Sequence, residues 1–164
     1  MPLAEWLIPE LATRRVLKRV PDGKSAWKPH PKSMTLGRLA TLIAELPAWA
    51  VHAVTLDELD IMPPGAPAPK FAALESTARI LELFDRNAAA ARAAIARTTD
   101  AQFKEPWAFK VAGRTVNTSP KFTVYRHTVL NHLVHHRGQL TVYLRLNGVP
   151  VPAVHGPTAD EPHF

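Results

Sequence analysis

Residues 121–147 read KFTVYRHTVLNHLVHHRGQLTVYLRLN, and Gly148 follows. The stretch holds no proline, and Tyr125, Val129, Leu140 and Tyr143 fall on one face at helical spacing. Glycine just past the last periodic residue is a usual helix stop. One helix from Lys121 to Asn147 is therefore predicted. In the middle of its apolar face stand His132 and His136. Residues four apart project from one side about one turn apart, and two imidazoles so placed can grip a single divalent cation. His135 points roughly 60–100° away by helix periodicity, and His127 points to the opposite side.

Two imidazoles on an inward face need partners, because a buried polar group without one costs a few kcal/mol. A metal would satisfy both at once; side chains or water would also serve. There is no glutamate between the two histidines, so the HExxH pattern of metalloproteases is absent. A metal needs more than two protein ligands for useful affinity, and catalytic zinc usually has three plus water. The third must come from another helix. His52 and Glu45 are the candidates. Both lie to one side of the apolar axis of their helix, His52 by roughly 80–100°, and a kink at Pro47 is what would re-aim His52.

Outward from this helix, the 16 prolines concentrate in PDGKSAWKPHPKS, MPPGAPAPK and GVPVPAVHGPTADEP, which read as loops and a tail. Three further helices lie between them. The first runs from Pro9 to Arg19, with Leu11, Val16, Leu17 and Val20 apolar, and Asp22-Gly23 ends it. The second starts at the N-cap Thr35, closing the loop HPKSMT, and runs to about Leu59 with Leu39, Leu42, Leu46, Ala50 and Ala53 as its stripe. The third runs from Phe71 to Arg97 with Leu74, Ala78, Leu81, Phe84 and Ala88 inward. A short hairpin around Ala112-Gly113 is expected before the fourth helix. Four apolar stripes can cover one another and nothing else in the chain can cover them. The expected fold is all-α, a four-helix bundle forming a single domain over residues 1–164, with the apolar tail laid back across it.

Composition agrees with a globular chain. Of 164 residues, 46% are hydrophobic and 21% charged, which excludes disorder for most of the length. The cysteine count is zero, which removes disulfides, thiol catalysis and Cys-ligated metal sites. No apolar run of ~18 residues exists, so no membrane span is expected. The N-terminus carries acids where a signal peptide wants base, and Pro9 breaks its apolar stretch. A soluble, cytoplasmic protein is expected. The formal charge of +6 is scattered, and its longest cluster, Arg14, Arg15, Lys18 and Arg19, reads as a solvated helix face without aromatic interleaving. Nucleic acid is therefore not the expected partner.

WKPHPKSMTLGRLA, AELPAW, TLDELD, NHLVHHRGQLTVYLRLNGVPVP and HGPTADE together resemble the DinB/YfiT-like family of damage-inducible four-helix proteins. The resemblance covers nearly the whole chain in order, and NHxxHHRGQ is its most specific piece. The tail departs from the family's usual YGPSADE by carrying His155 where tyrosine is common. The resemblance implies up-down-down-up connectivity and a divalent metal, nickel or zinc, held by three histidines. Two of these match His132 and His136. The third belongs to a segment that usually reads LAxHxAELP; here it reads LATLIAELP, which puts Leu42 at the ligand position. Leucine cannot coordinate a metal. Either His132 and His136 hold the metal with waters or an unusual third group, or the site has been lost.

Family members of known activity resemble enzymes that use a low-molecular-weight thiol, S-transferases and maleylpyruvate isomerases, in which a metal would lower the thiol pKa. Two readings follow. One is a metal-dependent enzyme of the thiol-cofactor transferase or isomerase type with an incomplete histidine site. The other is a non-enzymatic dimeric scaffold or small-ligand-binding bundle that has lost the metal. The resemblance admits a homodimer, though no residue demands one. Arg137 and Gln139 read as structural, the arginine pairing with an acid on a neighbouring helix and the glutamine donating across the bundle. Trp49, Trp107, Tyr125 and Tyr143 read as core.

Overall fold

The computed structural model describes residues 2–67 and 70–162, and side chains from Glu10 onward. The elements in chain order are α1 (Pro2–Leu17), α2 (Leu36–Thr55), β1 (Glu58–Asp60), α3 (Thr77–Arg97), α4 (Asp100–Lys104), β2 (Pro106–Val111), β3 (Arg114–Pro120), α5 (Lys121–Val124), a π-helical segment (Tyr125–Asn131) and α6 (His132–Leu146). The fold is mostly helical, as expected, but it is not all-α. A three-stranded sheet in the order β1-β2-β3 accompanies the helices, β1 parallel to β2 and β2 antiparallel to β3.

The expected hairpin is β2–β3. Ala112 and Gly113 both have positive φ, 52° and 78°, which matches the strand twist at a two-residue turn. The third strand escapes sequence reading because β1 has only three residues. It also ends α2 early: the helix stops at Thr55, not near Leu59, and Leu56 turns extended to feed the sheet.

Apolar stripes set the helix packing. α2 packs on α3 and α6, and α1 packs on α3 and α6, so the four form a closed ring of contacts. The core fills the ring. Leu39, Ile43, Phe84, Tyr125, Val129, Leu133 and Leu140 are fully buried. Alanines 40 and 44 on α2 and 88 and 91 on α3 let these two helices approach, and Asn87 Nδ2 donates to the Ala44 carbonyl at 2.9 Å. Thr35 caps α2 as predicted, its side chain accepting from the Arg38 N–H at 3.2 Å.

Three sequence expectations shift. Leu11 is 64% exposed, because α1 turns Ala12, Thr13, Val16 and Leu17 to the core instead. The third helix begins at Thr77, not Phe71. Residues before it bond elsewhere: the Leu74 N–H donates to Thr41 Oγ1 at 2.8 Å, and Asp22 Oδ1 accepts from the Thr77 N–H at 2.7 Å. Ala78 is consequently exposed and Ile80 takes the inward position.

The chain end of α6 is a Schellman turn. Gly148 sits at φ 71°, its N–H donates to the Arg145 carbonyl, and the Val149 N–H donates to the Leu144 carbonyl, each at 3.0 Å. The tail then folds back on the helices as expected. Pro152 and Ala153 are buried, Glu161 pairs with Arg15 at 2.6 Å and Arg19 at 2.7 Å, and Asp160 pairs with Arg145. Arg14 pairs with Asp85 at 2.7 Å, so three of the four basic residues in the first helical cluster hold acids of this chain. No helix among the described residues is long and apolar enough to cross a membrane.

Candidate metal centre

A π-helical segment immediately precedes His132. Its i→i+5 bonding inserts extra chain per turn, a feature common where helices carry function. Val124, Thr128 and His132, spaced four apart, lie along one wall of a cleft. One turn on, His136 is 8% exposed, and His132 is half-buried. The pair therefore sits at the edge of the core, between Val129 and Leu140: His136 turns inward as the stripe predicted, while His132 is only partly covered.

The two rings meet through Nε2 atoms 2.9 Å apart, with ring centres 4.6 Å apart. The far nitrogen of His136 is engaged by Gln139, and the Thr128 backbone acts on the His132 ring, favouring its protonated form. Gln139 donates through Nε2 to His135 Nε2 at 3.1 Å, which leaves its Oε1 to accept from His136 Nδ1 at 2.7 Å. With its Nδ1 on the Gln139 oxygen, His136 turns an Nε2 lone pair to His132 Nε2, which either donates an N–H to it or, with a cation present, offers a second lone pair.

A proton is disfavoured. Burial lowers the pKa of both rings from the ordinary imidazole value, and neighbouring positive charge adds to it: His135 for both, and His132 and Arg38 for His136. The donor chemistry suits a metal: metal-bound histidines usually donate their remaining N–H to an oxygen acceptor, as His136 does to Gln139 here.

A third protein ligand does not join them. No group of three histidine, cysteine, aspartate or glutamate side chains placed to hold a metal occurs among the described residues. His52 is exposed in the last turn of α2, and its carbonyl accepts from Trp107 Nε1 at 3.3 Å. Glu45 pairs with Arg38 at 2.9 Å. Leu42 is half-buried and lines the same cleft as His132, the place the resemblance assigns to a ligand.

The cleft encloses about 300 Å³ between α2, the β-hairpin and the π segment. Leu42, Leu46 and Trp49 form one wall, and Trp107 and Phe109 form another. Trp49 and Trp107 thus line a cavity, whereas Tyr125 is core and Tyr143 packs edge-on against Trp27 at 5.5 Å. Sequence reasoning missed Phe109, Asn117 and Thr128, which no motif marks. Gln139 differs from its expectation: it bridges two histidines of its own helix and does not reach across, because residues three and four apart share a face. Arg137 is buried and donates to Thr13 Oγ1 at 3.3 Å and to His155 Nε2 at 2.7 Å, so His155 is a tail anchor.

The lowered pKa values have a sign for stability. Near neutral pH the pair is uncharged in both folded and unfolded chains and has no effect. Below the ordinary value of about 6.5 the unfolded chain takes protons that the folded pair refuses, so stability falls with pH. In chelator, the urea midpoint is expected to drop between pH 7 and pH 5. The double variant His132→Gln, His136→Gln is expected to lose part of that drop; an unchanged slope contradicts the buried neutral pair.

No curated protein is similar enough to count as a relative. A DinB-like protein from Bacillus cereus superposes with a TM-score of 0.70 at 21% identity, covering 94% of this chain and 95% of that one. A DinB-like protein from Bacillus subtilis does so at 0.69 and 14%, covering 93% and 96%. At such identities these likenesses establish the fold. The DinB family model matches residues 10–163, and the chain belongs to the DinB family.

Proposed function

We propose that this chain works through a divalent cation, nickel or zinc, held by His132 and His136 beside a small-molecule pocket, as an enzyme of the metal-dependent transferase or isomerase type. The observation that carries this reading is the convergence of the His132 and His136 Nε2 atoms at 2.9 Å, with the His136 ring fixed at its far nitrogen by Gln139. When bound, the cation supplies Lewis acidity that lowers the pKa of a thiol, hydroxyl or water reaching it. The chain's own residues do the rest. Gln139 holds the His136 ring in register. Burial keeps both rings neutral. Leu42, Leu46 and Trp49 keep water off one side of the pocket. The ring of helix contacts supports the up-down-down-up bundle as the arrangement of the four long helices.

A second reading rests on Leu42. An aliphatic side chain where a ligand is expected favours a metal-free protein that binds a small molecule in the same pocket. Metal response separates the two. For protein purified without a histidine tag, one equivalent of bound nickel or zinc is expected. With metal at a hundred times Kd, stabilisation is about 2.7 kcal/mol. For a domain of this size that is roughly 5–10 °C in Tm. His132→Ala is expected to abolish both. A wild-type chain with neither bound metal nor a Tm shift belongs to the second reading.

A further inference from the structure

The pocket's lining is selective in a way the histidine pair is not. We propose that it takes a small, uncharged aromatic molecule with one hydroxyl or thiol head, the phenol or thiophenol class, and not a charged low-molecular-weight thiol. The inference deepens the proposed function by naming the ligand class of the same site.

Shape argues first. Trp107 and Phe109 stack with planes 14° apart and centres 6.2 Å apart, giving one flat wall. The wall is rigid, because Trp107 is 3% exposed and its indole N–H is engaged by the His52 carbonyl. A planar ring can lie along that surface with Trp49 nearby. A volume of about 300 Å³ stands at the small end of ligand pockets and suits one or two fused rings.

Charge argues second. Among the described residues no lysine, arginine, aspartate or glutamate lines the pocket; its polar groups are Asn117, Thr128 and His132. The charged pair on α2 is engaged elsewhere: Arg38 holds Glu45 at 2.9 Å and lies over the Phe71 ring at 5.1 Å. The carboxylates and ammonium of a peptide-like thiol would lose water there and gain no partner. A single donor head is different. His132 and Thr128 stand side by side in the lining, and a hydroxyl or thiol, which both donates and accepts, can pair with the imidazole or the threonine hydroxyl.

Isothermal titration with 2-naphthol, naphthalene-2-sulfonate and glutathione tests this, each in chelator and again with zinc. One site for 2-naphthol is expected, with the sulfonate at least tenfold weaker and glutathione silent. Asn117 is an exposed rim position on β3, and Asn117→Trp is expected to plug the pocket and weaken 2-naphthol at least tenfold. Phe109→Ala, which removes half the flat wall, is expected to weaken it similarly; circular dichroism checks both folds. Naphthol binding in neither condition, equal binding of the sulfonate or glutathione, or binding indifferent to both variants overturns the proposal. Failure here leaves the Tm response to metal intact, and loss of that response leaves naphthol binding in chelator intact, so the two readings fail separately.

Discussion

Leu42→His is expected to raise affinity for nickel or zinc more than roughly a hundredfold. Removing even an outer partner of a metal ligand costs about 10–100-fold, and this change adds a ligand itself. The position is suited to it. Leu42 and His132 line one cavity, and α2 packs directly against the π segment and α6. Residue 42 lies within α2, a full turn past its N-cap and ahead of Pro47. A third imidazole also brings the donor count to that of a catalytic zinc site, three protein ligands with a position left open.

Controls make the gain specific. In a His136→Ala background the benefit of Leu42→His should shrink to that of a two-histidine site, because the ligands act as one unit. Leu42→Gln, similar in length and polar but a poor ligand, should leave affinity near wild type while costing some stability. Competition titration against a chromogenic chelator reads the wild type and all four variants. An unchanged affinity in Leu42→His would place α2 out of reach of the pair and remove the account of why the site is incomplete.

Much of this was legible before any coordinates. His132 and His136 lie four apart on a stripe whose other members are large and apolar, and helical periodicity leaves such a pair nowhere but inward. Leu42 was legible for the same reason: it interrupts a motif without leaving the core face. The hairpin at Ala112-Gly113 and the stop at Gly148 follow from backbone conformations that favour glycine. What stayed hidden depends on contacts distant in sequence. β1 has three residues and exists because Glu58, Leu59 and Asp60 pair with Ala108, Phe109 and Lys110, fifty residues away. The start of α3 is set by Asp22 and Thr41, not by anything near Phe71. The π segment, which carries Thr128 into the pocket wall, leaves no composition signal. The pocket needs all three features, so its far wall could not be read from the helices alone.

Gly37→Ala is expected to destabilise the protein strongly, against the direction that helix propensity gives. Residue 37 lies in the first turn of α2, where alanine outranks glycine by up to about 1 kcal/mol in a helix interior. Space decides otherwise. A Cβ on residue 37 would stand 2.0 Å from Ser25 Oγ, 2.9 Å from Ser25 Cβ and 2.9 Å from the Leu74 carbonyl oxygen. These neighbours have little freedom. The Gly37 N–H donates to the Ser25 carbonyl at 3.0 Å, and Ser25 Oγ donates to the Leu74 carbonyl at 3.2 Å. The Leu74 N–H is in turn tied to Thr41 on the same helix. The methyl must push two chain segments away from α2 and break the Ser25–Leu74 bond. Overpacking costs about 1–3 kcal/mol and a lost hydrogen bond about 1 kcal/mol. The net expectation is roughly 3 kcal/mol, read as a fall in Tm of about 6–12 °C. Ser25→Gly alone removes two of the three close atoms. Combined with Gly37→Ala it should recover more than half of the loss, a coupling that a double-mutant cycle measures directly. A Gly37→Ala protein as stable as wild type would mean that the 21–35 loop does not press on α2, and the anchoring of the helix that carries Leu42 would have to be sought elsewhere.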